Sequence, residues 1–276
     1  MSFARSAVCL SVSSAQAVRG RAVLYWLIKA ILMPVLRGFY RVRIDGREHV
    51  PAQGPVILAA NHRSFMDSLF LPLVIRRRVT FVAKAEYFDD KKTAWFFRGV
   101  GQIPIRREGG SASERALASA TEVLEQGGVF GIYPEGTRTR DGDLHRGHTG
   151  VARLALRTGA PIVPVGMTGT DEINPIGRKF PRLFRTVRIH FGAPITADRY
   201  AGREHDKLVL RQITDEVMFE LQQLSGYQYV DTYATKKAEG LPSEVAHVES
   251  TNGHGETPRR SSADVLNPTG AAAASQ

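Results

Sequence analysis

The chain has 276 residues, 43% hydrophobic and 23% charged, which is enough for one substantial globular domain with tails. A single cysteine, Cys9, excludes an intrachain disulfide framework and a zinc–thiolate cluster. The net charge of +10 points to an anionic partner, and with no helix-turn-helix, zinc-finger or RNA-binding signature an anionic membrane surface is favoured over nucleic acid.

The charge is unevenly placed. No acidic residue precedes Asp45, and the tail from Lys236 onward carries a net −1, leaving +11 on the rest. Residues 1–20 read as a flexible N-terminal segment. Ala15-Gln16-Ala17 resembles a signal cleavage site, but the apolar core before it is short and broken by Ser11. A transit peptide and an upstream extension both stay open.

Residues 21–38 centre on an apolar run from Ala22 to Leu36, interrupted by Lys29 and Pro34. At 1.5 Å per residue such a helix reaches about 22 Å, short of the roughly 20 residues that a membrane crossing needs. An interfacial helix is expected, with Tyr25 and Trp26 at headgroup depth and arginines on both flanks. The competing reading is a core helix packed on a sheet.

Residues 39–235 read as the main domain. Tyr40 to Ile44 alternates as a strand and turns at Asp45-Gly46. Pro55 to Ala60 is a buried strand, and a helix is expected from Phe65 to Ile75 with Ser64 as its N-cap and Asp67 in its first turn. His62 and Asp67 are five residues apart, which inside one helix would turn their side chains roughly 140° from each other. A bend between them lets the carboxylate back the imidazole, the arrangement of a general base.

Strands are expected at Val79 to Ala83 and Ile103 to Ile105, with a short helix at Thr93 to Arg98 between them. Lys84 and Arg107 stand at strand ends and would point into the cleft that His62 enters, since ligands gather beyond the carboxyl ends of strands. Ser111 to Glu114 has capping-box spacing and opens a helix that ends at Gly127-Gly128. The strand from Val129 to Tyr133 runs into Glu135-Gly136-Thr137-Arg138, where Gly136 allows close backbone approach and Arg138 offers a fork for phosphate oxygens. A helix at Val151 to Arg157 stops at Gly159. The buried strand at Ala160 to Val165, continuing to about Met167, contains two prolines, Pro161 and Pro164, which places it towards a sheet edge or a strand start. A strand at Val187 to Phe191 and a helix at Lys207 to Leu224 follow. From Lys236 to the C-terminus, residues 236–276, the composition reads as disordered. The whole is a single α/β domain with a mixed central sheet flanked by helices, an N-terminal interfacial helix and a disordered C-terminal tail.

These segments, in order, resemble the glycerolipid acyltransferases, in particular the 1-acyl-glycerol-3-phosphate (lysophosphatidate) acyltransferases. The H-x4-D block of that family resembles His62 to Asp67, its G-x-x-x-I-x-R block Gly101 to Arg107, its E-G-T-R block Glu135 to Arg138, and its hydrophobic proline block Ile162 to Val165. The resemblance covers about residues 40 to 195.

It implies acyl transfer from acyl-CoA or acyl-carrier protein to the free hydroxyl of lysophosphatidate. His62 and Asp67 would be catalytic, and Lys84, Arg107, Glu135, Gly136, Thr137 and Arg138 would bind the acceptor. Backbone N–H groups of Arg63, Ser64 and Phe65 would stabilise the oxyanion. No G-x-S-x-G elbow is present, so direct attack is expected rather than a covalent acyl-enzyme, with Ser64 the minor alternative nucleophile. Other acceptors (glycerol-3-phosphate, dihydroxyacetone phosphate, another lysolipid) and a non-catalytic lipid-binding role remain alternatives.

No cofactor is expected beyond the thioester co-substrate. No metal is expected either: His145 and His148 lie near Asp141 and Asp143, but thioester alcoholysis needs none. The implied location is peripheral, on the cytoplasmic face of the cell membrane.

Overall fold

A computed structural model describes residues 23–106, 112–178 and 180–234, with the Lys92 side chain excepted. All of them belong to one compact unit, Met1–Lys236. The expected flexible segment at 1–20, the tail from Lys236, the Ser111 cap and Arg107 lie outside the described residues.

A seven-stranded sheet organises the fold. The strands are β1 (Arg41–Asp45), β2 (Val56–Ala60), β3 (Val79–Lys84), β4 (Ile103–Ile105), β5 (Val129–Ile132), β7 (Ile162–Thr168) and β8 (Thr186–Phe191), with β6 (Leu144–His145) set apart. Their order is β1-β8-β7-β2-β5-β3-β4. Every neighbouring pair is parallel except β7 with β8, which makes the sheet mixed.

Every residue of β2 is buried, and successive side chains serve opposite faces. Ile57 and Ala59 join a core with α5 (Ala112–Glu125), α6 (Gly150–Thr158) and α8 (Lys207–Ser225). Val56, Leu58 and Ala60 join a core with α2 (Asp67–Val74) and a helix at residues 23–39, α1. Three further helices are short: α3 (Glu86–Asp89), α4 (Lys91–Gly99) and α7 (Thr170–Ile173). Among these, α3 and α7 have no counterpart in the sequence reading.

Two expectations change. The proline strand β7 is interior, between β8 and β2. Its proline is tolerated because the N–H that Pro164 lacks falls at a break in pairing. The β8 ladder begins at Val165↔Phe191 and the isolated bridge is Ile162↔Ile195, while the Pro164 carbonyl still accepts from Gly192 N–H at 2.8 Å.

Helix α1, in turn, packs one side on the core and leaves the other exposed. Tyr25 is buried rather than at headgroup depth; its hydroxyl contacts Pro72 O and Val79 N at 3.5 and 3.4 Å. The Lys29 ammonium donates to the carbonyls of Pro72 and Ile75, a cation on the C-terminal end of α2. Burial and the nearby Arg47 charge lower its pKa to about 8. The opposite side of α1 exposes Val23, Leu27, Ile31, Val35 and Phe39 at four-residue spacing, with Trp26 beside them. No helix among the described residues is long and apolar enough to cross a membrane.

Candidate active site

The carboxyl ends of β2, β5, β3 and β7 share one edge of the sheet. Asn61 extends the ladder past β2: its amide donates to Met167 O at 2.9 Å and accepts from Met167 N at 2.7 Å. His62 is the next residue and emerges at that edge. From the pairs Ala59↔Ile132 and Ala60↔Val165, His62 lies level with Glu135 on one side and Met167 on the other.

His62 Nδ1 is 2.9 Å from Asp67 Oδ2. The same oxygen accepts from Arg63 N–H and Ser64 N–H, each at 2.8 Å. Asp67 is fully buried, and its Oδ1 has no hydrogen-bond partner among the described residues. Nδ1 therefore carries the proton, and Nε2 is the nitrogen left to accept one.

This geometry corrects two expectations. The Arg63 and Ser64 N–H groups are committed to Asp67, so of the three expected oxyanion donors only Phe65 N–H is outside that carboxylate's grip. Ser64 does not cap α2, whose N-cap is Met66; its hydroxyl accepts from Met66 N–H and donates to Asn174 O, at 3.2 and 2.9 Å.

The imidazole is held from several sides. Tyr133 stacks on it with centroids 3.8 Å apart and planes at 11°, and its hydroxyl meets Ser68 Oγ at 2.9 Å. Phe81 covers the other face of Tyr133 at 5.5 Å. It reaches there by crossing Gly131, where any Cβ would come within 2.2 Å of its ring. Burial, then the Asp67 charge, keep the Tyr133 phenol neutral by raising its pKa well above 10.

Glu135 is buried as well, with one oxygen accepting from His62 N–H and the other from His145 N–H, both at 3.0 Å. Burial pushes its pKa up to about 7 against those two donors. The expected acceptor-binding role is thus corrected to a positioning one, because both carboxylate oxygens are spent on backbone. On the other side of the same residue, His62 O accepts from Thr139 N–H at 3.0 Å.

Arg63 pins the site to distant segments. It pairs with Asp171 at 2.7 Å, donates to Gly142 O, and lies 4.1 Å over the Tyr227 ring. Beside this cluster is an open cavity of about 400 Å³, lined by Thr168, Gly169, Asp171, Phe184, Arg188 and Tyr227 among others.

Gly136 has φ +72°, a conformation that favours glycine, and His148 stands 3.1 Å from where its Cβ would be. Thr137 is half-buried, while Arg138 is exposed with no hydrogen bond or acidic partner among the described residues. Lys84 is exposed at the end of β3, two strands from β2 in the sheet and so roughly 10 Å across.

His145 is structural: Nε2 meets Asp141 Oδ2 at 2.9 Å and Nδ1 meets Thr232 O at 3.1 Å. Burial alone would lower its pKa, but these two bonds and the carboxylate charges raise it overall. His148 stacks on Tyr233 at 4.6 Å. No group of three or more His, Cys, Asp or Glu able to hold a metal occurs among the described residues.

Sequence reading missed Tyr133, Asp171 and Tyr227 as parts of the site. It also missed the pairing of β6 with β9 (Tyr229–Val230), which closes the loop bearing Glu135 to Arg138.

Residues 41–168 match the family described as Acyltransferase. The chain is 30% identical over 154 residues to the 1-acyl-sn-glycerol-3-phosphate acyltransferase of Bacillus subtilis (strain 168), covering 55% of this chain and 73% of that protein. It is 30% identical over 158 residues to the chloroplastic 1-acyl-sn-glycerol-3-phosphate acyltransferase LPAT1 of Arabidopsis thaliana, covering 57% of this chain and 44% of that protein. The crystal structure of the 1-acyl-sn-glycerophosphate (LPA) acyltransferase PlsC from Thermotoga maritima superposes with a TM-score of 0.59 at 26% identity, over 73% of this chain and 81% of that one. The chain spans about half the length of the plant and algal relatives it matches.

Proposed function

Because the chain belongs to the acyltransferase family that includes 1-acyl-sn-glycerol-3-phosphate acyltransferases, we propose that it acylates the free hydroxyl of lysophosphatidate from acyl-CoA or acyl-carrier protein. The product is phosphatidate. The observation that carries this reading is the His62–Asp67 pair at the sheet edge, with Nε2 turned away from its carboxylate partner.

In the reaction, His62 Nε2 takes the proton of the acceptor hydroxyl as its oxygen attacks the thioester carbonyl. The tetrahedral oxyanion is met by Phe65 N–H, and collapse expels the thiolate, which takes the proton back from His62. Asp67 fixes the tautomer and stabilises the imidazolium. General-base assistance of this kind is worth about 10² to 10⁴ in rate.

The acceptor's phosphate monoester carries about −1.5 to −2 charges near neutrality. Arg138 suits it, being exposed and unpaired among the described residues. Lys84 on the neighbouring strand end and Arg107 complete the proposed cationic set, while Gly136 and Thr137 bring backbone close to the headgroup. No cofactor takes part.

Peripheral attachment to an anionic membrane, through the exposed apolar side of α1, delivers the lipid acceptor. The cytoplasmic face is the assigned location, where acyl-CoA and acyl-carrier protein are made. Release of CoA thiol from palmitoyl- or oleoyl-CoA, with and without lysophosphatidate, tests the reading on wild type and His62→Ala. Acceptor-dependent release that His62→Ala abolishes is expected. Equal release by the two proteins would overturn it.

A further inference from the structure

The segment between α7 and β8 carries an exposed aromatic cluster that the core does not use, and of which only Phe184 reaches the cavity beside Asp171. Phe180 is 77% exposed and Phe184 75%, and Leu183 is also exposed. Phe184 has φ 59°, the only positive φ outside glycine among the described residues. A bulky side chain in that region of backbone space is uncommon and costly, and such strain persists where the surrounding structure imposes it.

Here it is imposed by the base of α1. Phe184 N–H donates to Phe39 O at 2.9 Å, Arg41 N–H donates to Arg185 O at 3.0 Å, and the Phe39 and Phe184 rings lie 6.3 Å apart. The loop is therefore tied to the end of the apolar stripe on α1, of which Phe39 is the last member.

Charge identifies what covers this ridge. No acidic residue occurs from Ile173 to His190, as none occurs before Asp45. Arg37, Arg41, Arg178, Arg182 and Arg185 are all exposed and have no acidic partner among the described residues. A second copy of the chain would bring two such arginine sets together, whereas an anionic bilayer offers apolar depth to the aromatics and phosphates to the arginines. The ridge ends at the sheet edge that bears His62: β8 begins there, and Phe184 and Arg188 line the cavity beside Asp171.

We propose that Phe180, Leu183 and Phe184 form a membrane-inserting wedge that works with α1 to seat the active-site edge on an anionic lipid surface. The proposal goes beyond the α1 attachment above and rests on the lipid-acceptor reading for its purpose. The α1 stripe fixes one line of contact. The wedge adds a second point off that line, which sets how the site opens towards lipid.

The test is partition of the full chain onto phosphatidylcholine vesicles, with and without phosphatidylglycerol, for wild type, Phe180→Ser/Leu183→Ser/Phe184→Ser and Phe184→Gly. Wild type is expected to bind the anionic vesicles more tightly, and the triple variant to lose about tenfold or more of its partition. A Phe180→Ser/Leu183→Ser variant, which leaves the cavity-lining Phe184 in place, should also lose partition while keeping its turnover of a short-chain, monomeric acceptor unchanged. Phe184→Gly should keep or raise the melting temperature while weakening vesicle binding, because glycine relieves the backbone and removes the wedge tip.

Unchanged partition by the folded triple variant would overturn the proposal. So would a loss of self-association in that variant without loss of vesicle binding. Partition requires no turnover, so a wild type that binds vesicles but transfers no acyl group defeats the proposed reaction and leaves the wedge standing.

Discussion

Replacing Glu135 with glutamine separates the role of its charge from that of its hydrogen bonds. The carboxylate is buried and joins His62 N–H to His145 N–H, both at 3.0 Å. Burial holds its pKa at about 7 in the fold, against 4.5 as the ordinary value. Below the ordinary value both folded and unfolded chains hold the proton, so the group is neutral towards stability. Between the two values only the folded chain holds it, and stability falls as pH rises. Above about 7 the penalty is constant, at about 3 kcal/mol.

Glutamine does not titrate, so it removes this slope. It also turns one acceptor oxygen into an NH₂ that faces a backbone N–H, at a cost of about 1–3 kcal/mol. The assay is equilibrium urea unfolding of both proteins across this range. The unfolding free energy of wild type minus that of the variant should fall by about 2–3 kcal/mol between about pH 5 and about pH 8. The loosened His62 backbone should also lower kcat by about one to two orders of magnitude. A difference that stays constant, or that rises with pH, would mean that the fold does not penalise the Glu135 charge.

Asp67→Asn should cut kcat by about 10³ to 10⁴, or about 4–5.5 kcal/mol, with little change in acceptor KM. Thiol release follows it, and a kcat within tenfold of wild type would remove Asp67 from its assigned role. Arg138→Ala should raise the KM for lysophosphatidate about 10- to 100-fold with kcat nearly intact; the same change for an acceptor lacking the phosphate would count against the contact. Tyr133→Phe keeps the stack on His62 and loses the Ser68 bond, costing about 1 kcal/mol in thermal or urea unfolding. Tyr133→Ala removes the ring and should cost about 3–5 kcal/mol and lower kcat further than Tyr133→Phe does.

The parts legible in the sequence are those written in short-range pattern. The continuous apolar run of β2 marks a strand buried on both faces, and the His62 to Asp67 spacing requires the bend that the structure has before α2. What was not legible depends on contacts far apart in the chain. Arg63 meets Asp171 across 108 positions, and nothing local to either residue signals it. The β6–β9 pair has two residues per strand, too few for any period to register.

Because α1 is apolar on both its protein-facing and exposed sides, hydropathy alone does not say that Tyr25 rather than Trp26 turns inward. The expected oxyanion donors differ because a helix start in the sequence looks like a row of free N–H groups. Here the Asp67 side chain folds back and takes two of them.

The stack of Arg63 on Tyr227 bears on when the surroundings of His62 are completed during synthesis. His62 leaves the ribosome early, but the ring that steadies its neighbour is encoded 164 codons later than Arg63. A nascent chain halted within α8 would hold His62 with Arg63 still lacking that support. The support that Tyr227 gives Arg63 is therefore supplied only once the segment after α8 has been made.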